Sequence, residues 1–382
     1  KRLLQFFLIA HLYFPFTWLW SQVSAGQPEQ KDWFYLRLAG ERVLQKDWAS
    51  LYSSIDNGFL WRYPPFALYF AAVLAMVEPA TAYWLLVLIA VGALAISLFL
   101  MRDALDAPDF GLVGLAVVTS GAFTSVVVTG QNSPLIALAI AAGLWSLLRG
   151  YHLLPFVFFG LLAIKPNWLP VLGLYALMRR HIRGFAIMAG IGVVVVLAGW
   201  PLGVTDDFVQ ASLRNSELLG DFPSYKLITM RSFLEAFSDS AVPWVVAVAI
   251  LGACGIYVWS PAARTPIPRQ LAVVVLITIS ANPYVAFYDG LVIMIPAIVW
   301  WASRETYASP IAWRTVGAII VLIWVWDQAV FFYAGVARSY GLFTNGRPSF
   351  SVVGPLLAIW VLIEAADARA RRRSRLTAKP AT

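Results

Sequence analysis

TAYWLLVLIAVGALAISLFLM, from Thr81 to Met101, holds no charged residue and does not alternate polar with apolar positions. An uncharged stretch of this length supplies the ~20 residues that a helix needs to cross the hydrocarbon layer. A barrel strand would be about half as long and would alternate. Comparable runs recur from end to end: Leu3–Val23 behind Lys1 and Arg2, then Gly111–Val128, Ser133–Leu148, Gly184–Val204 and Ala241–Ser260. Leu271–Ser280, Gly290–Ala302, Thr315–Val336 and Phe350–Ile363 complete the series. Hydrophobic residues make up 60% of the 382 and charged residues 13%, with a mean hydropathy of +0.74. A water-soluble domain carries about 25% charged residues, so this chain has too little polar surface to face water. In lipid only helices and closed barrels satisfy every backbone polar group. The reading is an all-α, polytopic helical membrane protein with about 10–13 transmembrane or re-entrant helices. One membrane domain is expected over residues 1–366 and a basic cytoplasmic tail over 367–382.

Arginines set the expected orientation, because positive charge concentrates in cytoplasmic turns. Arg179, Arg180 and Arg183 mark one such turn, Arg264 and Arg269 another, Arg304 and Arg314 a third, and the tail Arg369–Arg375 a fourth. The formal net charge of +8 has the same origin and does not call for nucleic acid. With Lys1 and Arg2 also inside, residues 24–63 and 205–242 become large outer loops. The middle admits two parses. Leu153–Met178 is interrupted by Lys165-Pro166, and a proline lacks the N–H that a helix interior needs. It is either one kinked span or two half-helices that meet near the outer side with Lys165 at the break. The second is preferred. It puts Arg149 inside and Gly130-Gln131-Asn132 outside, and it requires Phe66–Val77 to be re-entrant or interfacial. Leu3–Val23 exceeds the roughly 7–15 apolar residues of a signal peptide and is read as a span. The sequence opens at Lys1 and not at Met, so a few residues are expected to precede it.

Several chemistries are disfavoured. Cys254 is the only cysteine, so neither an internal disulfide nor a cysteine-rich metal site is expected. His11, His152 and His181 are scattered, and no zinc set is visible. There is no Walker A loop and no dinucleotide fingerprint. No metal and no cofactor are expected.

Polar chemistry is confined to the breaks between spans. The first loop contains Lys31-Asp32-Trp33-Phe34-Tyr35, then Trp61-Arg62-Tyr63-Pro64-Pro65. Interleaved aromatics and charges suit a helix lying at headgroup level. Asp32 is an exposed loop acid, a cap for that helix, or a general base. Lys165, between Ile164 and Pro166, is costly in a membrane unless paired or hydrated. It either snorkels to water or binds an anionic substrate group. Gly130-Gln131-Asn132-Ser133-Pro134 is a polar break that a plain turn would also explain. Asn282-Pro283-Tyr284 and Tyr288-Asp289-Gly290 form another, where Asp289 could simply cap the next helix. Asp327 lies in an apolar run and needs a hydrogen-bond partner. Lys226 and Arg231 belong to the second outer loop. In the preferred topology these breaks share one face. There, Lys and Arg suit a lipid phosphate, and a carboxylate suits deprotonation of an acceptor hydroxyl.

The order of these segments resembles glycosyltransferase family 87, the polyprenol-phosphate-mannose-dependent branch of the C-type glycosyltransferases. The resembling features are Asp32-Trp33-Phe34-Tyr35, Tyr63-Pro64-Pro65, Gly130-Gln131-Asn132, Arg149-Gly150, Ile164-Lys165-Pro166, Asn282-Pro283-Tyr284 and Tyr288-Asp289. Some relatives carry a His pair in the last segment, which this chain lacks. The resemblance implies a metal-independent, inverting transfer of mannose or another hexose or pentose from a polyprenyl-phosphate donor to a lipid or glycan acceptor. It implies the extracytoplasmic face of a bacterial inner membrane. Asp32 would be the base, and Lys165, Arg62, Arg231 and Lys226 would hold the donor phosphate. Tyr35, Tyr63, Gln131, Asn132, Asn282, Tyr284, Tyr288 and Asp289 would line the pocket. The rivals are a secondary transporter, which also uses broken helices, and a lipid-linked-sugar flippase or assembly scaffold. Polar breaks gathered on one face favour the transferase; breaks at mid-membrane favour a transporter.

Overall fold

The structure is a computed structural model and describes residues 32–48, 51–52, 63–106, 110–218, 228–235, 237, 240–282, 285–339 and 351–377. Leu3–Val23, Arg62, Lys226, Tyr284 and the side chain of Asp32 lie outside the described residues. Among the described residues every regular element is a helix. Two short helices, α1 (Asp32–Leu44) and α2 (Phe66–Ala75), precede the long α3 (Pro79–Leu105). Then come α4 (Phe110–Val118), α5 (Gly121–Thr129), α6 (Ser133–Leu148) and α7 (Leu154–Gly160). After two 3-10 turns follow α8 (Leu169–Met178), α9 (Ile182–Leu197), α10 (Thr205–Leu218) and α11 (Met230–Glu235). The chain closes with α12 (Val242–Trp259), α13 (Ile267–Ala281), α14 (Met294–Ala302), α15 (Pro310–Ser339) and α16 (Val353–Thr377).

Four stretches are long and apolar enough to cross a membrane: Pro79–Leu105, Ile182–Leu202, Val242–Trp259 and Pro310–Asp327. The α4–α5 pair adds a fifth if its 56° bend is one broken span. Shorter apolar helices of 10–17 residues, α2, α6 and α13 among them, account for further apolar runs. On α3, Leu88 and Phe99 are each 66% exposed. Side chains this apolar stay outward because the surrounding solvent is lipid, which is as apolar as they are. The chain is an integral, all-α polytopic membrane protein.

Lys165 stands at the tip of a hairpin whose two ends lie together. Phe156, at the start of α7, packs 5.2 Å from the ring of His181 in the α8–α9 turn. A Cβ on Gly184 would lie 2.4 Å from the Phe156 ring, and one on Gly160 would lie 2.5 Å from Ile191. Thus α7 runs alongside α9 in the same direction. α8 returns to the His181 turn. Residues 161–164 and 166–168 are 3-10 turns, and Lys165 between them has φ −128° and ψ 77°, outside any helix. This is the two-half-helix parse. Its other requirement concerns α2, which begins beside the end of α9 and finishes beside the start of α3. Tyr69 donates to the Ala198 carbonyl at 2.8 Å, and Leu74 and Val77 cluster with Ala82 and Tyr83. Both ends of α2 therefore lie at one end of the bundle, and the helix crosses it instead of passing through. Phe66, Tyr69, Phe70 and Val73 form an exposed apolar stripe on α2, as an interfacial helix presents.

The opposite end carries the arginines of the expected cytoplasmic turns, and two of them are not surface charges. Arg269 is 1% exposed on its side chain and binds Glu364 Oε2 through Nη2 at 2.5 Å and Asp367 Oδ2 at 2.9 Å. Arg371 joins Asp367 at 3.4 Å. Tyr307 donates to Glu364. Burial first, and the Glu364 carboxylate second, push the Tyr307 phenol above its ordinary range and keep it a donor. This network ties α13, the 303–308 turn and α16 together. α16 continues without a break across residues 366 and 367, and both Asp367 and Ala368 are buried. The basic segment thus emerges from the middle of a helix and not from a loop.

Candidate active site

At the end away from the arginines, three interruptions of helical backbone meet. The first is Gly130. It ends α5 in the left-handed region, φ +68°, where only glycine sits without strain. A Cβ there would fall 2.5 Å from Trp33 Cβ. Glycine at this position therefore lets α1, which opens at Asp32, rest its first turn on the 130–132 break. Trp33 is buried there, 5.6 Å from the Tyr83 ring. Gln131 is buried and its Oε1 lies 3.5 Å from the Tyr63 hydroxyl. Tyr52 donates to the Tyr63 carbonyl at 3.1 Å and packs 5.7 Å from the Phe208 ring of α10. The described parts of the two large loops are thereby in contact at this end.

The second interruption carries Lys165 and the third carries Asp289. The Lys165 ammonium binds Asp289 Oδ1 at 2.6 Å, and the Ser133 hydroxyl at the start of α6 donates to the same oxygen at 2.6 Å. The Ala286 N–H lies 3.4 Å from Oδ2, so Asp289 also closes the first turn of its own 3-10 segment, Phe287–Ile293. Asp289 is 1% exposed and Lys165 15% on their side chains. The ammonium sits 5.1 Å from the Tyr288 ring centre, a cation–π distance. Removal of charges from water on this scale is tolerated only where the pair is well formed and further hydrogen-bonded, and both conditions hold here. Asn282 donates from Nδ2 to the Asn167 carbonyl at 2.9 Å and links the second break to the third. The Oδ1 atoms of Asn132 and Asn167 are buried and accept no hydrogen bond from the described residues. Both are acceptors suited to hydroxyl donors.

The predicted site residues thus divide. Tyr63, Gln131 and Asn132 share the first break, Lys165 the second, and Asn282, Tyr288 and Asp289 the third. Tyr35 lies on α1, ring to ring with Phe34 at 5.9 Å. Arg231 is on α11 and pairs with Glu235 one turn on. Ile228 donates to the Val285 carbonyl at 3.0 Å and fixes the start of that segment over the third break. Arg62, Lys226, Tyr284 and the Asp32 carboxylate lie outside the described residues. Sequence reasoning gave Ser133 and Asn167 no role in the site, and it placed Lys165 and Asp289 in one pocket without pairing them. Charge balance was the available signal, since a lysine among apolar residues demands a carboxylate. Asp327, which needed a partner, finds it in the Ala122 N–H at 3.1 Å. It caps α5, where a carboxylate meets the positive end of the helix.

The family model of glycosyltransferase family 87 matches residues 61–283, which include the first two breaks and Asn282 at the edge of the third. No curated protein matches the chain.

Proposed function

The chain belongs to glycosyltransferase family 87, and from that premise we propose that this membrane glycosyltransferase takes its sugar from a polyprenyl-phosphate donor and passes it to a lipid or glycan acceptor with inversion. The observation that carries the reading is the meeting of three broken helices at one end of the bundle, around a desolvated Lys165–Asp289 pair at 2.6 Å. A transporter would be expected to place such breaks at mid-membrane. In this reading Asp32 takes the proton of the acceptor hydroxyl. The acceptor oxygen then forms the new bond to the anomeric carbon, and the bond from that carbon to the phosphate oxygen breaks. The electron pair leaves on polyprenyl phosphate, whose charge cations stabilise.

The ion pair alters how the cations share that task. Lys165 is already neutralised by Asp289, so its ammonium contributes direction more than net charge. Most of the positive charge falls to Arg62 and Lys226, with Arg231 able to join only by exchanging Glu235 for phosphate. Gln131, Asn132, Asn282, Tyr63, Tyr35, Tyr284 and Tyr288 line the sugar and acceptor space. The donor sugar is mannose or another hexose or pentose. The site faces the extracytoplasmic side of a bacterial inner membrane, opposite the arginine-rich end. The test is incubation of the purified protein with a panel of polyprenyl-phosphate sugars and a glycolipid acceptor, following release of polyprenyl phosphate. Release with at least one donor, lost in Asp32→Asn, is expected. No release from any donor, together with accumulation of an intact lipid-linked sugar across a vesicle membrane, would establish the flippase instead.

A further inference from the structure

We propose that the arginine-rich end holds an anionic phospholipid in a groove between α12 and α16, at the far end of the bundle from the sugar-transfer site. The groove has a volume of about 1020 Å³. Both helices run toward this end. Gly354, at the start of α16, packs on Thr229 and Met230, next to Ile228 at the third break, while the Trp259 carbonyl at the end of α12 accepts from Arg179 at 3.3 Å. Residue number therefore measures depth on both walls. The deep walls are apolar, with Ala253 and Cys254 from α12 and Ala365 and Ala366 from α16. Further along α16 the mouth is cationic, lined by Arg369, Arg372 and Arg373. Apolar depth below a cationic mouth is the profile of a phospholipid with its phosphate at the surface.

Among the described residues these three arginines have no counter-charge. The acids of α16, Glu364 and Asp367, are on another face of the helix and are engaged by Arg269 and Arg371. Among the described residues no carboxylate lies within ion-pair distance of Arg369, Arg372 or Arg373. A cytoplasmic turn needs positive charge only as a count; here the charges instead rim one groove. The occupant must bring negative charge and an apolar body. The chain's own first apolar run is a poor match, because Lys1 and Arg2 precede it and would add like charge to the mouth. An anionic phospholipid meets both demands, with its headgroup at the arginines and its acyl chains along the apolar walls.

The experiment is native mass spectrometry of the full-length, detergent-solubilised protein with an equimolar mixture of phosphatidylglycerol and phosphatidylcholine of matched chains. The most tightly retained lipid should be phosphatidylglycerol, by about tenfold over phosphatidylcholine, as expected of a clustered basic site. In Arg369→Gln/Arg372→Gln/Arg373→Gln the ratio should fall to about one, with an unchanged melting temperature showing that the exposed changes leave the fold intact. Ala366→Trp, which fills the deep wall, should lower phosphatidylglycerol retention while keeping the arginines. Equal retention of the two lipids overturns the proposal, and so does a preference that survives in the triple variant. Displacement of phosphatidylglycerol by excess inorganic phosphate, or full retention in Ala366→Trp, overturns it too, since either would mean a headgroup site without the groove.

Discussion

Asp289→Asn removes one charge from the buried pair and keeps the shape of the side chain. Its partner Lys165 is 15% exposed on its side chain and Asp289 1%, so water can screen little of the ammonium left behind. Loss of one member of a buried pair costs about 3–5 kcal/mol. The lower end applies, because the amide oxygen can still accept from Ser133. About 3 kcal/mol corresponds to a change on the order of 10²-fold in the unfolding equilibrium. Lys165→Met strands the more buried charge and should cost a similar amount, about 3–5 kcal/mol, eased by the partners that the carboxylate keeps. The carboxylate it strands keeps the Ser133 hydroxyl at 2.6 Å and the Ala286 N–H at 3.4 Å. In Lys165→Met/Asp289→Asn no charge remains, so the double variant should be no worse than Asp289→Asn alone. The assay is reversible unfolding in mixed micelles, read by tryptophan fluorescence. Costs in the two single variants that simply add in the double, within about 0.5 kcal/mol, would show that the groups are not coupled and would refute the reasoning.

Further outcomes follow from the same geometry. Asp32→Asn should lower single-turnover transfer by roughly 10²–10⁴-fold with donor binding retained, while Asp47→Asn does little; near-normal turnover rejects the base assignment. Arg62→Gln should raise the KM for donor more than Lys165→Met does, and the reverse order in steady-state kinetics would return the phosphate to Lys165. Gly130→Ala puts a Cβ 2.5 Å from Trp33 at φ +68°, a strain of about 1–3 kcal/mol. It should lift α1 and cut transfer, and protease cleavage near residue 46 should become faster than in the native chain. Arg269→Met strands Glu364 and Asp367 and should cost about 3–5 kcal/mol in the unfolding assay, with transfer per folded molecule unchanged.

The spans were legible because lipid imposes the simplest code in the sequence: long, uncharged and without alternation, as at Thr81–Met101. The hairpin at Leu153–Met178 was legible from Lys165-Pro166, where a missing N–H and an unpaired charge coincide in one dipeptide. The partner was harder to read. Asp289 follows Lys165 by 124 positions, and local pattern carries no distance information over such a gap; only charge balance could pair them. Arg269 was read as one more orientation charge, since composition cannot separate an arginine facing solvent from one held by Glu364 and Asp367. Gly130 looked like an ordinary turn residue, because its close contact with Trp33 exists only once α1 has folded back across the break.

The site end also has a particular electrostatic balance. Immediately at the three breaks α1, α6 and α8 begin, and α14 does so through its 3-10 entry. α5, α13 and the 3-10 exit of α7 finish there. A helix start presents about half a positive charge and a helix end about half a negative one, so these contributions largely offset. The Lys165–Asp289 pair is neutral as well. The bundle on its own therefore offers a donor phosphate shape, amide and hydroxyl partners, and a low dielectric, but little net positive potential. On the proposed reading that potential comes from cations on the two long loops, Arg62 and Lys226 first. Such a division would account for charge kept in segments that could have been short turns. On that reading the loops bring the charge that recognises the phosphate, while the broken helices fix the geometry in which the sugar is transferred.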